Sequence, residues 1–401
     1  MIRKLLQLLL LVAILSIVPG CWNRRELNTL GIAVGFGIDK AGDQYLVTAQ
    51  VVDPGEATAK KGVTGRSPVV LYHAESSSVI EALRKMTKES PRKIYVSHVR
   101  ILVIGESLAR EGIADVLDLM SRDHEFRSDF YIVVAKHTRA ENILNVLTSL
   151  EKIPAMDLSN ALQTSEKTWA PSHKVALNEL ISDLTSEGKQ PVLTAIEMIG
   201  NTEIGESRNR KNVETLDPPG RLQYSGLAAF NGDKLIGWLN EDESKAYNYI
   251  TDHVKSTVGF MPCPDGGTMS LEIIRSKSKV SSKLENGKPS ILVNIRIEAN
   301  VGEVACHVDL TKTKTIEELK KISDQKVQGF IKASIDKMQK QYKADIYGFG
   351  QVIHRAEPKL WKQIGKDWDS YFAKLPVEVK VNTQIRRLGT VNNSFIEEMK
   401  K

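Results

Sequence analysis

The residue with the most specific chemistry in this chain of 401 residues is Cys21. It follows Val18-Pro19-Gly20, an order that looks like a lipobox, in which the cysteine sulfur receives a diacylglyceryl group and becomes the new N-terminus. Upstream, Arg3 and Lys4 precede an apolar run from Leu5 to Val18, and Pro19-Gly20 break the helix. The run is shorter than the roughly 20 apolar residues of a stable membrane-spanning helix. Two acyl chains would anchor the protein, since each buried methylene contributes ~0.8 kcal/mol and one chain alone holds only marginally. Pro19 departs from the small or hydroxylated residue usual at its position and bears on processing alone. The other reading, an uncleaved signal anchor, is opposed by the Pro-Gly pair. Trp22, Arg24 and Arg25 would then lie at the headgroup level, where aromatic and cationic side chains are favoured. Either reading puts the bulk of the chain outside the cytoplasm.

The remaining candidates for catalysis fall short. Gly105-Glu106-Ser107-Leu108-Ala109 sits at a strand-to-helix turn but lacks the closing glycine of a nucleophile elbow, so Ser107 reads as a helix N-terminal residue. His98, His124 and His137 lie on different elements with no metal-ligand spacing. Gly31, Gly35 and Gly37 do not have the spacing of a phosphate-binding loop, and a second strand follows them, so they read as close packing in a strand. The charged stretch Ser121 to Asp129 could form an interaction loop but reads more readily as solvated ion pairs. No activated nucleophile, carboxylate pair or metal cluster is recognisable, and no cofactor is expected.

Composition agrees with a globular extracytoplasmic protein. Hydrophobic residues make up 41% and charged residues 26%, and the net charge of +6 is spread along the chain, which is not a nucleic-acid signature. Besides Cys21 there are only Cys263 and Cys306. They are too few for a disulfide framework; one bridge is possible, but Cys306 in a strand reads more readily as a buried free thiol.

The elements that must position these groups give an α+β, multidomain chain, with mixed or antiparallel sheets covered by helices. Residues 1–20 are the signal peptide. Residues 21–199 form an N-terminal α+β domain that opens on a hairpin, Gly31 to Asp53, and contains a mobile loop at 54–68. Its later helical stretch, 155–187, breaks near Pro171. Residues 200–220 read as a linker, and 221–266 as a small hairpin-plus-helix region turning on Asn231-Gly232. Residues 267–401 form a C-terminal α+β domain, an antiparallel sheet with a long amphipathic helix from Thr315 to Lys343.

Several stretches together resemble the Ger(x)C family, the lipoprotein C subunits of nutrient germinant receptors in endospore-forming bacteria. They are Cys21 to Leu27, Gly31 to Asp39, Gly226-Leu227-Ala228, Gly237-Trp238, Asp345 to Gly350 with His354, Trp361 and Trp368, and Arg386-Arg387. The resemblance implies a protein tethered by Cys21 to the outer face of the spore's inner membrane, beside two integral membrane subunits, A and B. That complex responds to amino acids or sugars and triggers ion and dipicolinate release. It also implies several α+β domains of unusual topology, and leaves the C subunit's own task and any direct small-molecule ligand unspecified; the non-enzymatic reading comes from the residues themselves. Two other classes remain open on the residues alone: a solute-binding lipoprotein delivering a ligand to a transporter, which would need a closing interdomain cleft, and a hydrolase, which would need Ser107 beside a histidine.

Overall fold

The computed structural model describes residues 2–7, 26–58, 66–200, 211–263, 266–306 and 308–387. Cys21, Trp22, Arg24 and Arg25 lie outside them. Two sheets organise the chain.

The first has nine strands, and its main path runs β3-β2-β1-β5-β6-β7-β8-β9. β1 (Leu30–Ala41) and β2 (Gln44–Val52) form the expected hairpin, β3 (Val69–Ser76) extends it, and the short β4 (Lys93–Tyr95) pairs beside the start of β1. β5 (Ile101–Gly105), β6 (Tyr131–Ala135) and β7 (Val192–Gly200) follow in parallel, the geometry that helical crossovers impose. β8 (Gly220–Asn231) and β9 (Lys234–Leu239) complete the edge antiparallel. The hairpin assigned from sequence to a separate middle region is therefore the far edge of the first sheet. Its alternation explains this: Ala228 and Phe230 join the core on one face, Leu227 and Ala229 the core on the other.

Helices cover both faces of this sheet, as buried parallel strands require. Helices Val79–Lys85, Glu106–Glu111, Ala114–Arg122 and Leu177–Leu184 bury one side, and Ala140–Leu144 and Pro154–Thr168 bury part of the other. Glu106–Glu111 and Ala114–Arg122 are separated at Gly112, whose φ of 145° does not continue a helix. Part of the 54–68 loop is helical at Pro54–Thr58, and 59–65 lie outside the described residues.

The second sheet has the order β10-β11-β12-β13. β10 (Thr257–Pro262) went unread in the sequence. β11 (Thr268–Glu285), irregular near Ile273, runs its whole length and pairs with β10 and with β12 (Lys288–Ala305). The long helix Thr313–Lys337 then returns the chain so that β13 (Val377–Arg387) adds parallel to β12. Ile291, Val293, Ile295 and Ile297 on β12 all point inward beneath this helix and helix Glu241–Ile250. Cys263 and Cys306 are disulfide-bonded, contrary to the reading of Cys306 as a free thiol. The antiparallel ladder brings the end of β10 beside the end of β12, because both pair with the start of β11.

Candidate functional site

Of the residues that carried the family resemblance, Gly237-Trp238, Asp345 to Gly350, His354, Trp361 and Trp368 are dispersed in sequence and meet in the structure at one joint between the two sheets. Asp345 is its centre, fully buried. Its carboxylate accepts hydrogen bonds from the backbone N–H groups of Tyr347 at 3.1 Å, Gly348 at 2.9 Å and Gly350 at 2.8 Å, and from Trp368 Nε1 at 3.1 Å. One side chain thus folds the Asp345 to Gly350 loop around itself and fixes the ring of Trp368. Gly348 adopts a φ of 75°, in the left-handed region, which turns the loop into helix Phe349–Ala356. Burial pushes the Asp345 carboxyl up to about 6, against the pull of its N–H donors. With both oxygens committed to these donors, Asp345 has no accessible lone pair for base catalysis and acts as a loop organiser.

The loop docks on residues Ser186 to Gln190, which connect the last helix of the first half to β7. Gln190 N–H donates to the Asp345 carbonyl at 2.7 Å, and Gln351 N–H to the Gly188 carbonyl at 3.3 Å. Trp361 Nε1 donates to Glu187 Oε2 at 2.8 Å, while its ring stacks on His354 at 5.3 Å. A second tie lies at the end of the long helix, where Lys337 Nζ donates to Glu243 Oε2 at 2.8 Å and to the Trp238 carbonyl at 3.2 Å. A Cβ on Gly237 would collide with the Tyr342 ring, so the Gly237-Trp238 pair permits this approach.

Beneath the joint runs a buried ionic network that the sequence reading did not identify. His173, 4% exposed, places Nδ1 3.2 Å from Glu166 Oε1 and Nε2 3.6 Å from Glu179 Oε1. Burial opposes its charge, but the two carboxylates prevail and raise its pKa. The ring of His253 lies 4.3 Å from that of His173, and its Nδ1 is 2.8 Å from Thr251 Oγ1. Burial and the neighbouring imidazolium lower His253 to about 4. Lys189, on the docking loop, pairs with both oxygens of Asp183 at 2.8 Å, extending the network to the joint. The helix break near Pro171 was the available signal. Ala170 has a φ of 65°, and the segment after it turns inward, its carbonyls held by Asn248 Nδ2 and Thr194 Oγ1.

The other motif residues are local braces. Asp39 accepts from the N–H groups of Ala140 at 2.7 Å and Glu141 at 2.9 Å and so caps a helix distant in sequence. Gly35 and Gly37 let Leu144, Ala140 and Ala155 approach β1, which is the close packing expected of them. Ser107 lies in helix Glu106–Glu111 and makes no hydrogen bond to a histidine among the described residues. His98 meets Tyr95 edge-on, His124 is exposed beside Asp123, and His137 lies 3.7 Å from Glu106. The three histidines are not brought together.

The model of the spore germination protein N-terminal domain matches residues 23–198, and that of the spore germination B3/GerAC-like C-terminal domain matches 225–389. Spore germination protein KC of Bacillus subtilis is 33% identical over the full length of both chains. Spore germination proteins B3 and A3 of the same organism are 24% and 23% identical, each over 93% of this chain and 95% of its own. The crystal structure of the GerBC protein, at 22% identity, covers 88% of this chain and 96% of its own with a TM-score of 0.52, and shares its fold. Asp345 and the tryptophans it organises therefore sit in a chain that belongs to the GerAC-like family of spore germination proteins.

Proposed function

We propose that this chain is the lipid-anchored, non-enzymatic subunit of a membrane nutrient receptor that triggers spore germination. In this reading acylated Cys21 holds it on the outer face of the spore's inner membrane, with Trp22, Arg24 and Arg25 at the headgroups, beside the A and B integral membrane subunits. The observation that carries the reading is similarity over the full length to spore germination protein KC. The Cys263–Cys306 bridge supports it, since disulfides persist in oxidising, extracytoplasmic compartments. So does the use made of Asp345, whose carboxylate is taken up by the loop N–H groups and Trp368. The protein's part is then mechanical: two sheets locked at the Asp345 joint present one rigid surface to the membrane subunits.

The solute-binding alternative requires a polar cleft that opens and closes between the halves. Here the halves meet through backbone at Gly188 and Gly350, which leaves no cleft at that joint.

Purification from spore inner membranes, with mass spectrometry of the N-terminal peptide and of co-purifying chains, tests the proposal. Diacylglyceryl on Cys21 together with two polytopic partners is expected. A chain that is unacylated and solitary overturns it.

A further inference from the structure

Among the described residues, the second sheet has one face covered by helices and one that is not. On β12 the odd positions from Ile291 to Val301 are buried under helices, whereas Asn294, Arg296 and Glu298 point the other way, outside that core. Register places Lys277 opposite Arg296, Lys279 opposite Asn294, Asn294 beside Lys380 and Arg296 beside Asn382. The bare face therefore carries Lys277, Lys279, Lys283, Arg296, Lys380 and Arg386 against Glu298 and Glu378. Arg275 and Glu272 add one charge of each sign, and Arg387 a further cation. Part of this charge is compensated: Lys277 pairs with Asp252 at 2.8 Å, Lys283 and Lys380 share Glu378 at 3.6 and 3.0 Å, and Arg386 meets Glu298 at 3.2 Å. Lys279 and Arg296, in the middle, have no carboxylate partner among the described residues.

We infer that this face docks electrostatically on an anionic phospholipid surface. Lysines and arginines spread over three strands suit a flat, fluid array of phosphates. An acidic protein would be expected to find aromatic anchors in a pocket, and single-stranded nucleic acid a row of stacking rings; the charged part of this face, on β11, β12 and β13, offers no aromatic side chain, and the exposed Phe260 lies apart on the edge strand β10. The inference rests on the membrane placement proposed above and adds a second contact, remote in sequence from the anchor.

The test uses the full chain carrying Cys21→Ser, so that acylation cannot mask a weaker contact. Its partition is measured onto phosphatidylcholine vesicles with and without phosphatidylglycerol, at rising salt. Phosphatidylglycerol should strengthen binding, and salt should remove the gain. Lys279→Gln with Arg296→Gln should cost about thirtyfold in that gain. Arg122→Gln with Arg127→Gln, an equal loss of charge elsewhere, should preserve most of it. Binding indifferent to phosphatidylglycerol overturns the inference, as does an equal loss in the control pair. A face variant that keeps its vesicle binding but loses an acidic protein partner overturns it in favour of that partner. An unmodified Cys21 in the spore protein, with the vesicle gain intact, overturns the anchor alone.

Discussion

Gly188 and Gly350 face each other across the joint so closely that a Cβ on Gly350 would lie 2.6 Å from Gly188 Cα. No side chain fits between them, and the contact sets the distance at which the Asp345 loop can accept the Gln190 N–H. Gly350→Ala should therefore destabilise the protein by about 2–3 kcal/mol through overpacking. Gly188→Ala should cost more, because its φ of 78° adds backbone strain. Urea unfolding measures both; an unchanged midpoint would contradict the packing argument.

Asp345→Asn keeps the shape of the side chain while replacing one acceptor oxygen with a donor aimed at other donors. A loss of about 2–4 kcal/mol is expected, since the N–H groups it served stay buried. Trp368 gives the readout: its indole loses its partner, so tryptophan fluorescence should shift before global unfolding. A variant as stable as the parent would remove Asp345 from the centre of the joint.

The histidine pair sets a pH dependence. His253 is held below its ordinary value of 6.5, at about 4, so between these limits the unfolded chain binds more protons than the folded one. Stability should fall as pH drops from 6.5 towards 4, by roughly 3 kcal/mol from this group. Glu166 and Glu179, both lowered, contribute stability that is likewise lost on acidification. His173, raised, acts oppositely: its contribution is present in acid and disappears as pH rises through its folded value. His253→Gln should flatten the acid limb in pH-dependent unfolding; an identical profile would sink the assignment.

Removing the bridge should matter although it ties only one corner. The cysteines are 43 residues apart, and Cys263→Ser should cost about 4 kcal/mol by releasing that loop in the unfolded chain. The comparison is denaturation of parent and variant with and without reductant. Two free thiols titrating in the native parent would show that the bridge does not form.

The sequence disclosed elements better than their neighbours. The β1–β2 hairpin, the Asn231-Gly232 turn and the amphipathic helix were legible because periodicity and turn chemistry are local. β10 was not, since Gly259, Phe260 and Pro262 do not alternate with polar residues. The Asp345 loop was visible as a motif but not as a joint: its partners, Glu187, Gly188 and Gln190, lie more than 150 residues earlier in an unremarkable turn. His173 was hidden for a related reason. Its partners come from three separate segments, and nothing local in Ser172-His173-Lys174 announces that the chain dives inward there. Cys306 was misjudged because strand register, which brings it to Cys263, cannot be read from either segment alone.

The crossing of β8 and β9 into the first sheet carries a lesson about inheritance. The two regions that family models treat as separate meet between residues 198 and 225, inside a run that enters β8. A gene cut there would leave the upstream piece with β7 as a bare, sticky edge and the downstream piece with an orphan ribbon lacking its neighbours. Recombination between relatives at that point would have to preserve the pairing of β7 with β8, so the two halves are constrained to evolve as one gene rather than as interchangeable modules.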